Sequence, residues 1–171
     1  MTGDRRRGTG IISRSSVPVP GHLLNVIWGK IVAYKFEQLE VWQLALEYID
    51  LIYTLAEQLP RSEEFNLKSQ IIHAATSVAL NIAEGSTSQS DAEQARFLGF
   101  AVRSLIETVA CQHLISRRGY LKEVEQLRQT YSLSRKLFVK IQAFRNAISN
   151  GAGRKIREEA ALYETDDTIP F

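Results

Sequence analysis

Hydrophobic residues recur at intervals of three and four along four segments of the chain, a spacing that places them on one face of an α-helix. The segments cover residues 38–58, 66–84, a third stretch that opens at Ser90 and runs to about 118, and 123–148. Pro60, Gly85 and Gly119 follow the first three segments, and Ser90 with Glu93 has the pattern of a capping box. Four long helices with short connections predict an all-α, antiparallel up-down-up-down four-helix bundle.

The helical pattern is confined to residues 34–150, which we predict to be the packed domain. Residues 1–33 show no sustained periodicity and contain clusters of Gly, Ser, Pro and Arg, which predict a disordered or loosely attached extension. An alternative is that these residues precede the native start of the protein. Residues 151–171 are predicted to form a polar C-terminal tail.

The first helix carries two apolar stripes. The stripe that we expect to face the core consists of Leu39, Trp42, Leu46, Ile49, Tyr53 and Ala56. The second stripe, on the far side, consists of Val41, Leu44, Tyr48, Leu51 and Leu55. Because an apolar stripe left in water marks an interface, the second stripe predicts homo-oligomerisation through this helix. The alternative is that the N-terminal extension folds back and covers it.

Charge is segregated along the chain although the net charge is only +2. Residues 35–93 contain three basic and ten acidic residues, and residues 96–150 contain ten basic and three acidic residues. Arg96, Arg103 and Arg117 are spaced by multiples of seven, so they share one face of the third helix over about 30 Å. We expect Arg96 and Arg103 to contact the acidic first helix of a neighbouring subunit.

Basic residues of the second half also cluster at the turn between the third and fourth helices and along the fourth helix. They are Arg117, Arg118, Lys122, Arg128, Arg135, Lys136, Lys140 and Arg145. One interpretation is a solvated surface, or a partner for acidic residues of another subunit. The other is a surface that contacts the phosphates of RNA. Since no aromatic platform interrupts these basic residues, base-specific recognition of single strands is not expected.

Catalytic and metal-binding motifs are absent from the sequence. Neither His73 nor His113 has the Glu-x-x-His partner of a di-iron bundle, and Cys111 lies two residues from His113, on a different helical face. No Walker loop, nucleophile elbow or HExxH sequence occurs. We therefore expect no enzyme activity, no metal and no cofactor. One cysteine and no run of eighteen apolar residues predict a cytoplasmic protein without a membrane span.

The run SVALNIAEGS, from Ser77 to Ser86, joins a small-residue helix face to a glycine stop. Asn81 lies at the edge of the core face, where we expect its amide to bond to a neighbouring helix. Glu84 stands near a helix C-terminus, which disfavours an acid, so a basic partner or the amides of the next loop are expected to bind it. Gly85 is predicted to adopt the left-handed conformation that ends a helix. All three roles are structural.

Three motifs carry a family resemblance. FEQLEVWQLA at Phe36–Ala45, SVALNIAEGS, and LSRKL at Leu133–Leu137 together resemble the four-helix-bundle proteins encoded by intervening sequences in bacterial 23S ribosomal RNA genes. The resemblance covers residues 34–148 and implies a homopentameric ring in the cytoplasm of a bacterium. A related group, the accessory variability determinants of diversity-generating retroelements, is similar in fold, and its rings bind a reverse transcriptase and nucleic acid.

Two functions follow as expectations. The first is a non-enzymatic, ring-forming protein associated with RNA or a nucleoprotein through its basic third and fourth helices. The alternative is a self-assembling scaffold that recruits a protein partner, such as a reverse transcriptase, without binding nucleic acid itself.

Overall fold

The computed structural model describes residues 34–121 and 124–150. The predicted extension, the C-terminal tail and Lys122 lie outside this part of the chain. The described residues form four α-helices: α1 (Glu40–Glu57), α2 (Leu67–Ser86), α3 (Asp91–Arg118) and α4 (Glu125–Asn150). Short 3-10 helices precede α1 at Lys35–Gln38 and α2 at Arg61–Glu63. The predicted four-helix, all-α class is confirmed.

Local chemistry sets several helix ends as the sequence predicts. The Ser90 hydroxyl oxygen accepts a hydrogen bond from the Glu93 backbone N–H at 3.2 Å, so Ser90 is the N-cap of α3. Gly119 ends α3 in the left-handed conformation, with φ of 64°. Leu39 is extended, which separates the first 3-10 helix from α1 and moves the start of α1 to residue 40.

Each helix packs against the next one in the chain, and α4 also packs against α1. Glu40 at the start of α1 is bonded to Lys140 near the end of α4, and Gln58 after α1 is bonded to Gln126 at the start of α4. These two helices therefore run antiparallel. Ser77 with Ser104 and Gly85 with Phe97 show the same antiparallel relation between α2 and α3. Gly99 with Arg145 and His113 with Tyr131 show it between α3 and α4. The order around the bundle is consequently up-down-up-down, with α1 diagonal to α3.

The core includes the predicted face of α2 and, on α1, mainly the stripe expected to face outward. Of the α1 stripe expected inside, Ala56 is buried, and Leu39, Trp42 and Ile49 are half-buried against the core. On α2, all five residues of the predicted face are buried: Leu67, Ile71, Ala74, Val78 and Ile82. On α1, the stripe predicted to be an oligomer interface turns inward: Val41, Leu44, Tyr48 and Leu55 are buried, and Leu51 is half-buried. Assigning these residues to an outward interface is wrong.

The acidic residues of α1 explain this correction. Asp50 and Glu57 are exposed, and at 100° per residue they lie within about 20° of the direction opposite Tyr48. Burying the Tyr48 stripe keeps these carboxylates in water, whereas burying the other stripe would draw them towards the core. Leu46 and Tyr53 of that other stripe are 39% and 47% exposed.

A polar cluster occupies the centre of the bundle, where the diagonal helices α1 and α3 meet through their side chains. The Gln112 amide donates to the Tyr48 hydroxyl oxygen at 2.8 Å, and Tyr48 lies 2.6 Å from the hydroxyl oxygen of Thr108. Thr108 in turn donates to the Leu105 carbonyl at 2.7 Å, so Tyr48 donates to Thr108. All three side chains are fully buried, and burial raises the pKa of Tyr48 above its ordinary value.

Gly85 has a different role from the predicted one. Helix α2 continues through Gly85 to Ser86, and Gly119 is the one glycine with positive φ in the described residues. A Cβ atom at position 85 would lie 2.9 Å from the Cβ of Phe97 on α3. Gly85 therefore allows α2 and α3 to approach closely, and the prediction of a left-handed helix end is wrong.

The two polar residues of the same motif also differ from expectation. The Asn81 amide donates within α2, to the Ser77 carbonyl at 2.7 Å and the Ser77 hydroxyl at 3.1 Å. The bond across to α3 is made by Ser104, which donates to the Ser77 hydroxyl at 3.0 Å. The Glu84 side chain is exposed and has no hydrogen bond or ion pair among the described residues, so its predicted partner is not found.

None of the helices in the described ranges is long and apolar enough to cross a bilayer.

Two Gly→Ala substitutions distinguish the effect of close helix packing on stability from the effect of helix propensity. Gly85→Ala should destabilise the fold by about 1 kcal/mol, because the overlap with Phe97 exceeds the gain in helix propensity. Gly99→Ala is the matched control: its Cβ would lie 3.9 Å from the nearest side-chain atoms, so it should stabilise the fold by up to about 1 kcal/mol. Urea denaturation at equal protein concentration measures both, and equal stabilities would contradict the proposed close approach.

Candidate nucleic-acid interface

The predicted basic residues of α4 are distributed around the helix instead of lining one face. Arg128, Lys136 and Arg145 are exposed, whereas Arg135 and Lys140 are half-buried. Arg135 lines an apolar groove of about 210 Å³ between α3 and α4, and Lys140 points towards α1. The basic residues of α4 therefore do not form a single phosphate-binding stripe.

Lys140 forms an ion pair within the same chain. Its Nζ lies 3.0 Å from a carboxylate oxygen of Glu40, and both side chains are substantially exposed. Such an exposed pair contributes little stability, about 0–1 kcal/mol. It shows, however, that acidic α1 and basic α4 already meet within one chain at this end of the bundle.

Arg118 also has an intramolecular role. Its Nε donates to the Tyr120 hydroxyl at 3.0 Å, and that hydroxyl donates to a Glu63 carboxylate oxygen at 2.6 Å. The hydrogen bond from Tyr120 is the main cause that lowers the pKa of Glu63 below its ordinary value. The chain of contacts ties the end of α3 to the 3-10 helix before α2. Nothing in the sequence pattern indicates it, because residues 63 and 120 are far apart.

The arginines of α3 stand beside phenylalanines. Arg96 lies 6.0 Å from the ring centroid of Phe97, and Arg103 lies 5.8 Å from that of Phe100. Arg96, Phe100 and Arg103 are exposed and follow the i, i+4, i+7 spacing of one helical face. Basic and aromatic side chains therefore share this face of α3, which lies outside the positions for which no aromatic platform is expected.

A third arginine reaches this face from α4. The Cζ and Nε atoms of Arg145 lie 3.9 Å from the position of a Cβ at Gly99, one turn from both Arg96 and Arg103. Because residue 99 has no side chain, the guanidinium of Arg145 rests against the α3 backbone. We call Arg96, Phe100, Arg103 and Arg145 the α3 arginine patch.

The α3 arginine patch has no carboxylate partner. Within the described residues, none of its three guanidinium groups forms an ion pair or a hydrogen bond. Asp91 lines the same cleft as Arg96 and Arg145, an opening of about 680 Å³ at one end of the bundle, but it pairs with neither. The patch is a concentration of positive charge that the described residues do not neutralise.

The reactive side chains offer no comparable grouping. Cys111 is buried, and burial raises the pKa of its thiol, which disfavours the nucleophilic thiolate. His113 is exposed on another face of α3. Among the described residues, no three His, Cys, Asp or Glu side chains are placed to hold a metal ion. The α3 arginine patch can therefore attract an anion and make aromatic contacts, but the described residues place no reactive group in it.

The fold and this surface define an all-α four-helix bundle with an arginine-rich face. Residues 37–143 match the family model described as 23S rRNA-intervening sequence protein, and the chain belongs to this family. The family resemblance carried by the three sequence motifs is confirmed. Its extension to retroelement accessory proteins stays a prediction. Comparison with curated proteins gives no match.

Replacing Tyr120 tests the contact between α3 and the first connection. Tyr120→Phe removes the hydroxyl, so the pKa of Glu63 should rise towards its ordinary value. In the wild type the folded pKa lies below the unfolded one, so this contact stabilises the fold at neutral pH and is lost as pH falls through the folded pKa. NMR titration of the Glu63 carboxyl carbon measures the change, with Tyr53→Phe as an exposed control. An unchanged Glu63 pKa in Tyr120→Phe would contradict the contact.

Proposed function

We propose that the protein is a non-enzymatic, self-associating helical bundle that binds RNA through the cationic surface of α3 and α4. The observation that supports this most directly is the set of exposed basic side chains without a carboxylate partner in the described part of the chain. They are Arg96, Arg103, Arg117, Lys136 and Arg145. Four of them are arginine, whose planar guanidinium is suited to bidentate phosphate contacts.

Phosphate contacts explain how such a surface gains affinity. Each phosphate that a basic side chain neutralises releases condensed counterions from the nucleic acid, so binding strengthens as salt is lowered. One subunit offers few such contacts. Repeating the surface around a ring raises the effective concentration of further contacts, so self-association and RNA binding support each other in this proposal.

Self-association is assigned to the outward row of α1. Trp42, Leu46, Ile49 and Tyr53 are spaced by four, three and four residues. Leu46 and Tyr53 are exposed, whereas Trp42 and Ile49 are half-buried and pack against the edge of the core. This row replaces the buried stripe around Tyr48 as the proposed interface. Since α1 and α3 are diagonal, a contact through α1 leaves the α3 arginine patch accessible. The ring of five implied by the family resemblance is part of this proposal.

A second candidate function is a scaffold that recruits a protein partner and binds no RNA. The observation in its favour is charge segregation, because exposed Glu47, Asp50 and Glu57 on α1 lie across the bundle from the α3 arginines. Subunits arranged head to tail would bring the two faces together in a ring. In that case, reversing Arg96, Arg103 and Arg117 to Glu would dissociate the assembly.

Salt dependence of RNA binding tests the first proposal. Fluorescence anisotropy with bulk RNA should show binding at about 50 mM salt that weakens steeply by about 200 mM, because counterion release drives it. The triple Arg→Glu variant at residues 96, 103 and 117 should lose this binding and keep its mass. Wild-type protein that binds no RNA at low salt would contradict the proposal, and loss of mass in the triple variant would favour the scaffold.

Charge placed on the outward row of α1 tests self-association. Leu46→Glu with Tyr53→Glu should give a soluble, helical monomer by light scattering and circular dichroism, since both positions are exposed in the subunit. Leu44→Glu is the contrasting control: it places a charge in the core and should unfold the protein. A double variant with wild-type oligomeric mass would exclude this row as the interface.

A further inference from the structure

We propose that the α3 arginine patch is a subsite for single-stranded RNA, in which Arg145 with Arg96 or Arg103 holds a phosphate and Phe100 stacks against an unpaired base. This inference rests on the proposed RNA-binding function. It adds the strand state of the ligand and the side chains that recognise it, and it assigns Arg96 and Arg103 to RNA instead of to a neighbouring subunit.

The path of Arg145 is the first observation. Its side chain extends from α4 to α3, and its guanidinium lies next to Gly99. Gly99 is three residues after Arg96 and four residues before Arg103. Those two arginines are about 10 Å apart along the helix axis. Bringing a third cation between them is electrostatically unfavourable unless an anion is present. No carboxylate of the described chain supplies one, although Asp91 lines the adjoining cleft.

Phe100 is the second observation. Phe100 as a whole residue is 37% exposed, and it lies on the same face as the two α3 arginines. Phe97 meets it edge-on with centroids 6.0 Å apart, which supports the ring from the side. Arg103 lies over the ring at 5.8 Å, so a base that stacks here meets both an aromatic and a guanidinium plane.

The combination of arginines with an exposed phenylalanine ring favours single-stranded over double-stranded RNA. Phosphates are available in both forms, so the arginines alone would bind either. In a duplex, however, the faces of the bases are covered by their neighbours, and a phenylalanine on a convex helix face gains nothing from them. An exposed phenyl ring between arginines therefore favours a strand whose bases are free to stack.

The test uses the full-length protein and two fluorescent RNA probes of equal length, an oligouridylate and a duplex. Phe100→Leu keeps an apolar side chain and all charges, so it should weaken oligouridylate binding about tenfold and leave duplex binding unchanged. Arg145→Gln should weaken binding to both probes and reduce the slope of log affinity against log salt by about 0.7 for the single strand. Arg61→Gln, an exposed one-charge control outside the patch, should alter neither probe.

Gly99 provides a second, charge-neutral variant pair. Gly99→Leu fills the space beside α3 and displaces the Arg145 guanidinium without changing net charge, so it should reproduce the loss seen in Arg145→Gln. Gly99→Ala places its Cβ at an ordinary contact distance of 3.9 Å and should bind like the wild type. Circular dichroism checks that all variants remain helical.

The outcomes separate the two proposals. Loss of oligouridylate binding in Phe100→Leu and Gly99→Leu, with wild-type oligomeric mass, supports the subsite. If the wild type binds RNA and these variants bind equally well, the subsite is wrong while the RNA-binding function stands. If the same variants lose oligomeric mass, the patch is a contact between subunits. Absence of any RNA binding by the wild type at low salt would overturn both.

Discussion

The hydrogen-bonded cluster of Tyr48, Thr108 and Gln112 is the interaction on which the arrangement of this bundle depends. It joins the two diagonal helices at the centre of the core. A buried polar group without a partner costs about 1–3 kcal/mol there, and among the described residues the Oε1 atom of Gln112 is the one atom of the cluster in that position. An apolar contact tolerates rotation of a helix about its axis, but a donor–acceptor chain of this kind does not. The cluster therefore fixes the rotation of both α1 and α3, in the way that a lone polar residue fixes register in a coiled coil.

The rotation of these two helices decides which surfaces face water. With Tyr48 inside, Leu46 and Tyr53 of α1 lie outside, next to the acidic residues of that helix. With Thr108 inside, Arg103 lies on the opposite side of α3, because five residues correspond to about 500°, or 140° beyond one full turn. The cationic face and the exposed apolar row thus occupy opposite sides of the bundle. A bundle built this way has one apolar and one cationic surface, which are the two surfaces that the proposed self-association and RNA binding use.

The sequence predicts the helices and the buried face of α2 correctly, and the rotation of α1 incorrectly. Spacing of three and four gives the period of a helix, and the residues Ser90, Pro60 and Gly119 mark its ends through local chemistry. On α1, however, two apolar stripes share that period, and the position of Asp50 and Glu57 opposite Tyr48 is the signal that distinguishes them. Contacts between helices were beyond reach for another reason: Gly85 against Phe97 and Arg145 against Gly99 depend on distances between backbones that are remote in sequence. The sequence therefore predicts individual basic residues of the candidate site but not which of them lie together on the surface.

A double-mutant cycle between Tyr48 and Gln112 tests the central cluster most directly. Tyr48→Phe and Gln112→Leu each remove one partner, and the double variant removes both, so the coupling free energy isolates their interaction from the cost of each change. If the two side chains bond in the core, urea denaturation should give a coupling of about 1 kcal/mol or more. If the free energies of unfolding instead add within about 0.3–0.5 kcal/mol, Tyr48 does not hold α1 in this rotation, and the assignment of inner and outer faces fails with it.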